Sequence, residues 1–201
     1  QAFGIQYLDQ NNELKTPYQT SWGVSTRMIG ALIMVHGDDR GLVLPPNIAP
    51  IKAVIIPIGK DEAVIEATNK VTNELKEAGI TYRVDDSNKT PGFKFAEAEV
   101  KGYPVRIEIG KRDLENHQVT VVRRDTLEKI KYDVLDIAQS LHELFPVIQQ
   151  NLYDQALARR NQMIYEANDY DEFKNIALNQ PGFIKANWCG DEACEKKIKD
   201  D

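Results

Sequence analysis

Ala53-Val54-Ile55-Ile56-Pro57-Ile58 is an unbroken apolar, mostly β-branched run, the pattern of a strand buried on both faces of a sheet. Directly after it, Asp61 is placed to cap a helix on which Ala63/Val64, Ala67, Val71, Leu75 and Ala78 share one face, with Gly79 as its stop. Ile80 to Val84 reads as the next strand. Strand, helix, strand in this order is a βαβ unit, and its strands run parallel. Downstream, residues 85–92 form a polar loop and a short helix follows from about Phe93 to Lys101. Val105, Ile107 and Ile109 then alternate with Arg106 and Glu108, which predicts a half-exposed strand. Gln118 to Arg123 is its hairpin partner, reached through Gly110 to His117. A last helix opens at Asp133, turning Val134, Ile137, Leu141, Leu144/Phe145 and Ile148 inward.

The flanks are different. Before residue 50, Phe3 to Leu8 reads as a short strand closed by an Asp9-Gln10-Asn11-Asn12 turn. Tyr18 to Gly23 and Leu42 to Pro46 read as two more strands. Between them Ser25 could cap a helix bearing Met28, Ile29, Leu32, Ile33 and Val35 on one side. This block has no complete core of its own. After residue 150 the pattern becomes a long polar helix, Leu152 to about Ala167, and a second one near Asp171 to Leu178. A strand then enters the cysteine-bearing turn Trp188-Cys189-Gly190-Asp191-Glu192-Ala193-Cys194. The chain divides into 1–49, 50–150 and 151–201, and both ends read as cut, so a fragment is expected.

Composition narrows the function classes. The 201 residues are 42% hydrophobic and 28% charged, a balance that builds a packed core. Twenty-five Lys+Arg against 31 Asp+Glu give a net charge of −6, which argues against a nonspecific polyanion binder held by bulk charge and leaves no expectation of a DNA partner. No apolar run approaches the roughly 20 residues of a membrane span, and no signal peptide is evident. Two cysteines are compatible with a reducing, cytoplasmic setting. The serines lack a nearby His/Asp signature, which excludes a hydrolase triad. The βαβ unit alone suggests a flavodoxin-like nucleotide binder, but no glycine-rich phosphate loop follows Ile58.

The most specific string is Ser21-Trp22-Gly23-Val24-Ser25-Thr26-Arg27 with Ile29-Gly30 and, further on, His36-Gly37-Asp38-Asp39-Arg40-Gly41-Leu42-Val43-Leu44-Pro45-Pro46. A glycine at a strand end admits a ligand against the backbone, and an arginine at the next helix start can reach a phosphate. Together with Thr90-Pro91-Gly92-Phe93-Lys94-Phe95, Glu97 to Gly102, Gly110 to Asp113, Val121 to Thr126 and the Trp188–Cys194 turn, the chain resembles prolyl-tRNA synthetase of the archaeal and eukaryotic-like type, a class II aminoacyl-tRNA synthetase. The resemblance runs through the whole chain in order.

It implies an α/β anticodon-binding domain with a mixed five-stranded sheet flanked by helices. A fragment of the class II catalytic antiparallel sheet precedes it, and the start of an α+β, zinc-binding-like C-terminal extension follows. The implied reaction ligates proline to tRNA(Pro) with ATP and Mg²⁺ through prolyl-adenylate, in a cytoplasmic homodimer. The family's motif 3 arginine falls on Arg27 and its proline-pocket floor on Ser21, Trp22 and Gly23, with Trp22 also beside ATP. Motifs 1 and 2 have no counterpart here, so the piece alone is expected to be inactive and to carry anticodon recognition. The anticodon readers fall on Phe95, Glu99, Arg112, Asp113 and Lys129. Aromatic rings stack on unpaired bases and carboxylates accept from guanine N1 and N2. The blander alternatives are core packing for Phe93 and Phe95 and a solvated hairpin turn for Arg112, Asp113 and Lys129. Lys89, Lys94, Lys101, Arg123 and Arg124 are candidate phosphate contacts.

Cys189 and Cys194, with four residues between them, make half of a zinc site, and Zn²⁺ would need a further cysteine pair; free thiols are the plainer reading. His36, His117 and His142 show no ligand spacing, and His142 is read as a packing residue on the inward side of its helix. A standalone, non-catalytic tRNA-binding module related to synthetases is the competing function.

Overall fold

The computed structural model describes residues 3–200. Its centre is a five-stranded sheet whose spatial order is β4-β3-β5-β6-β7. The strands are β3 (Ala53–Ile58), β4 (Tyr82–Val84), β5 (Val105–Gly110), β6 (Gln118–Arg123) and β7 (Lys129–Asp133). β3 pairs parallel with both β4 and β5, and β5-β6-β7 is an antiparallel meander, so the βαβ reading and the mixed sheet both hold. Helix α2 (Glu62–Glu77) makes the first crossover, with Asp61 at its N-cap position but no hydrogen bond from the Asp61 side chain. It ends where Ile80 N–H reaches back to the Leu75 carbonyl at 2.8 Å, a Schellman-type closure. β4 accordingly starts at Tyr82, two residues later than the apolar pattern suggests.

Side-chain alternation sorts the sheet into two faces. Ala53, Ile55, Val105, Ile107, Ile109, Val119 and Val121 point to one face, into a core closed by Val64, Val71 and Leu75 of α2 and by Ile137, Leu141 and Ile148 of α5 (Ile137–Gln162). On the other face α3 (Pro91–Lys101) packs Ala98 and Phe95 on Val54 and Ile56. α3 covers only part of that face. Across the rest, the register lines up Arg106, Val122 and Lys129 in one row and Glu108, Thr120 and Lys131 in the next. The polar side of β5 is therefore not half exposed as its alternation implied. Arg106 and Glu108 are each only 7% exposed, because they pair with one another beneath α3.

Several local expectations are corrected. Asp133 closes β7, and the last helix starts at Ile137; β7 consumes the residues assigned to its first turn. α5 continues as one 26-residue helix through Pro146 and past residue 150. His142, the residue whose carbonyl loses its helical donor to Pro146, and Pro146 itself are both exposed. His142 is thus a surface residue rather than a packed one. The helix ends at Gln162, and Ile164–Ala167 is instead a strand, β8. β8, α6 (Tyr170–Asn179) and β9 (Phe183–Ala186) make a second, smaller parallel βαβ unit, followed by α7 (Glu192–Asp200).

Near the N-terminus, among the described residues, only Tyr7–Leu8 (β1) and Leu14–Lys15 (β2) pair as strands, antiparallel about a turn in which Asp9 Oδ1 accepts from the Asn11 and Glu13 amides. Tyr18 to Gly23 and Leu42 to Pro46 join no ladder among the described residues, and Pro46 begins a turn. Helix α1 (Arg27–His36) takes Thr26, not Ser25, as its N-cap, and none of its residues is buried. Residues 38–44 are what tie this part to the sheet unit. Leu42 and Leu44 donate their amides to the Val100 and Gly102 carbonyls, and a Cβ on Gly41 would lie 2.5 Å from Val100 Cα. Only glycine fits that contact, at a φ of +134°. Among the described residues no helix is long and apolar enough to cross a membrane.

Candidate nucleic-acid interface

α3 starts with Pro91 at its first turn, where the missing N–H costs nothing. Its spacing then sets Phe95 and Glu99, one turn apart, over β5. The Arg106 guanidinium sits 4.4 Å from the Phe95 ring centroid, donates through Nε to Glu108 Oε1 at 2.9 Å and through Nη1 to Glu99 Oε1 at 3.1 Å. Arg40 Nη1 donates to the other oxygen, Glu99 Oε2, at 3.1 Å. Lys129 Nζ lies 3.7 Å from Glu108 Oε2. One chain of alternating charge thus runs Arg40, Glu99, Arg106, Glu108, Lys129.

A second group stands beside it. Between β5 and β6 the chain makes a short helix, α4 (Lys111–Leu114), in place of a plain hairpin turn. That turn of helix brings Asp113 back over the sheet, where Oδ2 accepts from Thr120 Oγ1 at 2.6 Å and Oδ1 from Lys131 Nζ at 2.8 Å. Thr120 is the direct cross-strand neighbour of Glu108, so both groups occupy one continuous patch. Burial pushes the Glu99 carboxyl up, but hydrogen bonds from Arg106 and Arg40 outweigh it and hold the group below the usual carboxylate range. The Lys131 and Thr120 hydrogen bonds likewise hold Asp113 down. Two ionised, acceptor-only carboxylates beside an aromatic ring and exposed cations suit a base edge rich in N–H donors.

Of the expected readers, Phe95, Glu99, Asp113 and Lys129 are gathered on this patch. Arg112 is not joined to it: it is exposed, and the hydrogen bond it makes is through its carbonyl, to Asn116. Arg106 and Glu108 were missed as site residues; their signal was the pair of opposite charges alternating within an apolar strand, a costly pattern unless both are satisfied. Three proposed phosphate contacts are sealed. Lys94 (5% exposed) donates to the Asp85 carbonyl, Arg123 pairs with Asp125, and Arg124 (4% exposed) pairs with Asp38. Lys89 and Lys101 remain exposed but share Glu97, and Lys89 sits 4.6 Å from the Phe93 ring. Phe93 is 55% exposed, so it is not a core residue.

Ser21, Trp22, Gly23 and Arg27 all lie in solvent, with Trp22 92% exposed. Cys189 and Cys194 are free and exposed. The Asp191 backbone amide, with the neighbouring Cys194 side chain, lowers the Cys189 pKa. The described residues contain no cluster of three or more potential metal ligands, so these two thiols do not by themselves fill a tetrahedral zinc sphere.

Residues 52–144 match the anticodon binding domain family. The proline–tRNA ligase of Lachnospira eligens is 52% identical over 201 residues, 100% of this chain and 42% of that protein. The enzyme of the same name from Clostridium novyi is 49% identical over 99% of the chain and 42% of its own length. Prolyl-tRNA synthetase from Cryptosporidium parvum, solved with L-proline and AMP, superposes with a TM-score of 0.89 at 39% identity, covering 99% of this chain and 44% of that one. The chain spans about two fifths of the length of the curated relatives it matches. By sequence and by fold the chain is a homologue of prolyl-tRNA synthetases and carries an anticodon binding domain.

Proposed function

We propose that the chain is the anticodon-reading, C-terminal part of a proline–tRNA ligase. The carrying observation is the patch itself: Phe95, Glu99, Asp113 and Lys129 meet on the one sheet face that α3 leaves partly open. In this reading the half-buried Phe95 ring, with the buried Arg106 guanidinium against it, provides a stacking surface, and Glu99 and Asp113 accept from the N1 and N2 donors of two anticodon guanines. Lys129, with its side chain 60% exposed, adds a positive group beside the carboxylates.

In the whole enzyme the proline carboxylate attacks the α-phosphorus of ATP and pyrophosphate leaves. The 3′ hydroxyl of tRNA(Pro) then attacks the prolyl-adenylate carbonyl and AMP leaves. In this reading Arg27 contacts the ATP phosphates, where a guanidinium offsets developing charge; Mg²⁺ would supply further charge neutralisation on the nucleotide. Trp22 lies beside the nucleotide, and Ser21, Trp22 and Gly23 floor the proline pocket. Residues 1–49 then close the catalytic domain, 50–150 form the anticodon domain, and 151–201 begin a C-terminal domain in which Cys189 and Cys194 are free thiols, half of a zinc site that only a further cysteine pair would complete. The complete protein is a cytoplasmic homodimer. The test is binding of the 201-residue chain to a tRNA(Pro) anticodon stem-loop. Tight binding that is lost when both anticodon guanines are replaced supports the reading, and equal binding to the two hairpins overturns it.

A further inference from the structure

Glu99 is held by two guanidinium groups that differ in freedom. Arg106 has a side chain 9% exposed and spends Nε and Nη1 on Glu108 and Glu99. The Arg40 side chain is 57% exposed, and Glu99 is its hydrogen-bond partner. Its remaining N–H groups face solvent directly beside the carboxylate. The backbone under Arg40 is fixed: its amide donates to Asp38 Oδ1 at 2.9 Å, Asp38 is forked onto Arg124, and Leu42 is bonded to Val100. The result is an acceptor and an outward donor side by side on a rigid mount.

Guanine presents O6 as acceptor next to N1–H and N2–H as donors, whereas adenine presents a donor next to an acceptor. We propose that Arg40 is a specificity-determining residue that donates to O6 of the guanine whose N1–H and N2–H are accepted by Glu99. Arg40 lies outside residues 52–144, the span of the anticodon binding domain match, and is delivered to the site by the 38–44 segment. Adenine in the same place sets donor against donor and acceptor against acceptor, so the pair rejects it. The inference rests on Glu99 being an anticodon reader.

The test compares the 201-residue chain with its Arg40→Ala, Arg40→Lys and Glu99→Gln variants, titrated with a tRNA(Pro) anticodon hairpin and with the same hairpin carrying adenine at either guanine. Arg40→Ala is expected to weaken the guanine hairpin about tenfold and to leave one adenine hairpin unchanged within about twofold, with Arg40→Lys in between. Equal weakening of all hairpins means a phosphate contact only and overturns the inference. Loss of preference in Glu99→Gln with full preference retained in Arg40→Ala also overturns it, while leaving the anticodon reading standing. An unchanged preference in Glu99→Gln overturns both. Arg40 is exposed, and a circular-dichroism melt checks that each variant folds.

Discussion

Arg124 forks onto Asp38, Nη1 to Oδ2 at 2.8 Å and Nη2 to Oδ1 at 2.6 Å, while its Nε donates to the Glu99 carbonyl at 3.1 Å. One side chain thus joins the end of β6, the turn after α1, and the reader helix α3. Bidentate pairing fixes geometry as well as charge. The guanidinium is nearly sealed, at 3% side-chain exposure, whereas Asp38 is 46% exposed. Removing the carboxylate leaves a buried cation short of partners. Asp38→Ala is therefore expected to destabilise the chain by about 1–3 kcal/mol, read as a lower urea midpoint at unchanged slope. A midpoint within error of wild type would show that water replaces Asp38 without cost.

The same contact sets a pH dependence. Hydrogen bonding to Arg124 holds the Asp38 carboxyl down to about 2, against about 3.9 for a free aspartate. A depressed folded-state pKa means that the stabilisation is complete above pH 4 and disappears as pH falls through 2. Asp38→Asn should melt below wild type at pH 7 and converge on it between pH 4 and 2. A constant gap across that range would mean that the charge contributes nothing.

The core of this fold was legible because its signals are local. The run from Ala53 to Ile58 matches β3 residue for residue, and the 3.6-residue spacing of Val64, Val71 and Leu75 marks the buried side of α2. The parallel pairing follows from topology alone. Boundaries failed where a polar residue serves two elements. Asp133 reads as a helix start, yet β7 takes it by pairing with Gln118. Tyr18 to Gly23 has strand composition but no neighbouring strand among the described residues, so nothing converts its propensity into a ladder. At the site, Phe95, Glu99 and Asp113 came through family resemblance. Arg40 came only from the structure, since nothing local says that it meets a carboxylate 59 positions away; the alternating charges of Arg106 and Glu108 were a local signal that pointed to burial and not to the partner on α3.

Arg106 separates packing from recognition. It lies between Glu99 and Glu108 and over Phe95, so Arg106→Met leaves two largely buried carboxylates without their main partner. A loss of about 3–5 kcal/mol is expected, larger than that of any surface ion pair here. Arg106→Lys keeps the charge but cannot bond both carboxylates while stacking on Phe95, and should fall between. Chemical denaturation of the three proteins orders them. If Arg106→Met matched wild type, Glu99 and Glu108 would have to be protonated or hydrated in the folded chain.

Asp113 behaves in the opposite way, because its charged partner is at the surface, and its buried partner Thr120 still finds an acceptor oxygen in an asparagine. Lys131 is 55% exposed, and Asp113 meets it and Thr120 from a single turn of helix. Exposed pairs of this kind contribute at most about 1 kcal/mol, so Asp113→Asn should leave the denaturation midpoint almost unmoved. The amide replaces an acceptor-only group with one that carries its own donors, which face the N–H groups of guanine. Affinity for the tRNA(Pro) anticodon hairpin should fall by about 1–3 kcal/mol, with the loss confined to hairpins that keep the guanine it reads. Fluorescence anisotropy with the native and guanine-replaced hairpins measures both quantities on one sample. A variant that loses stability but not discrimination would assign Asp113 to holding the β5–β6 connection, and the reading of that carboxylate as an anticodon contact would have to be given up.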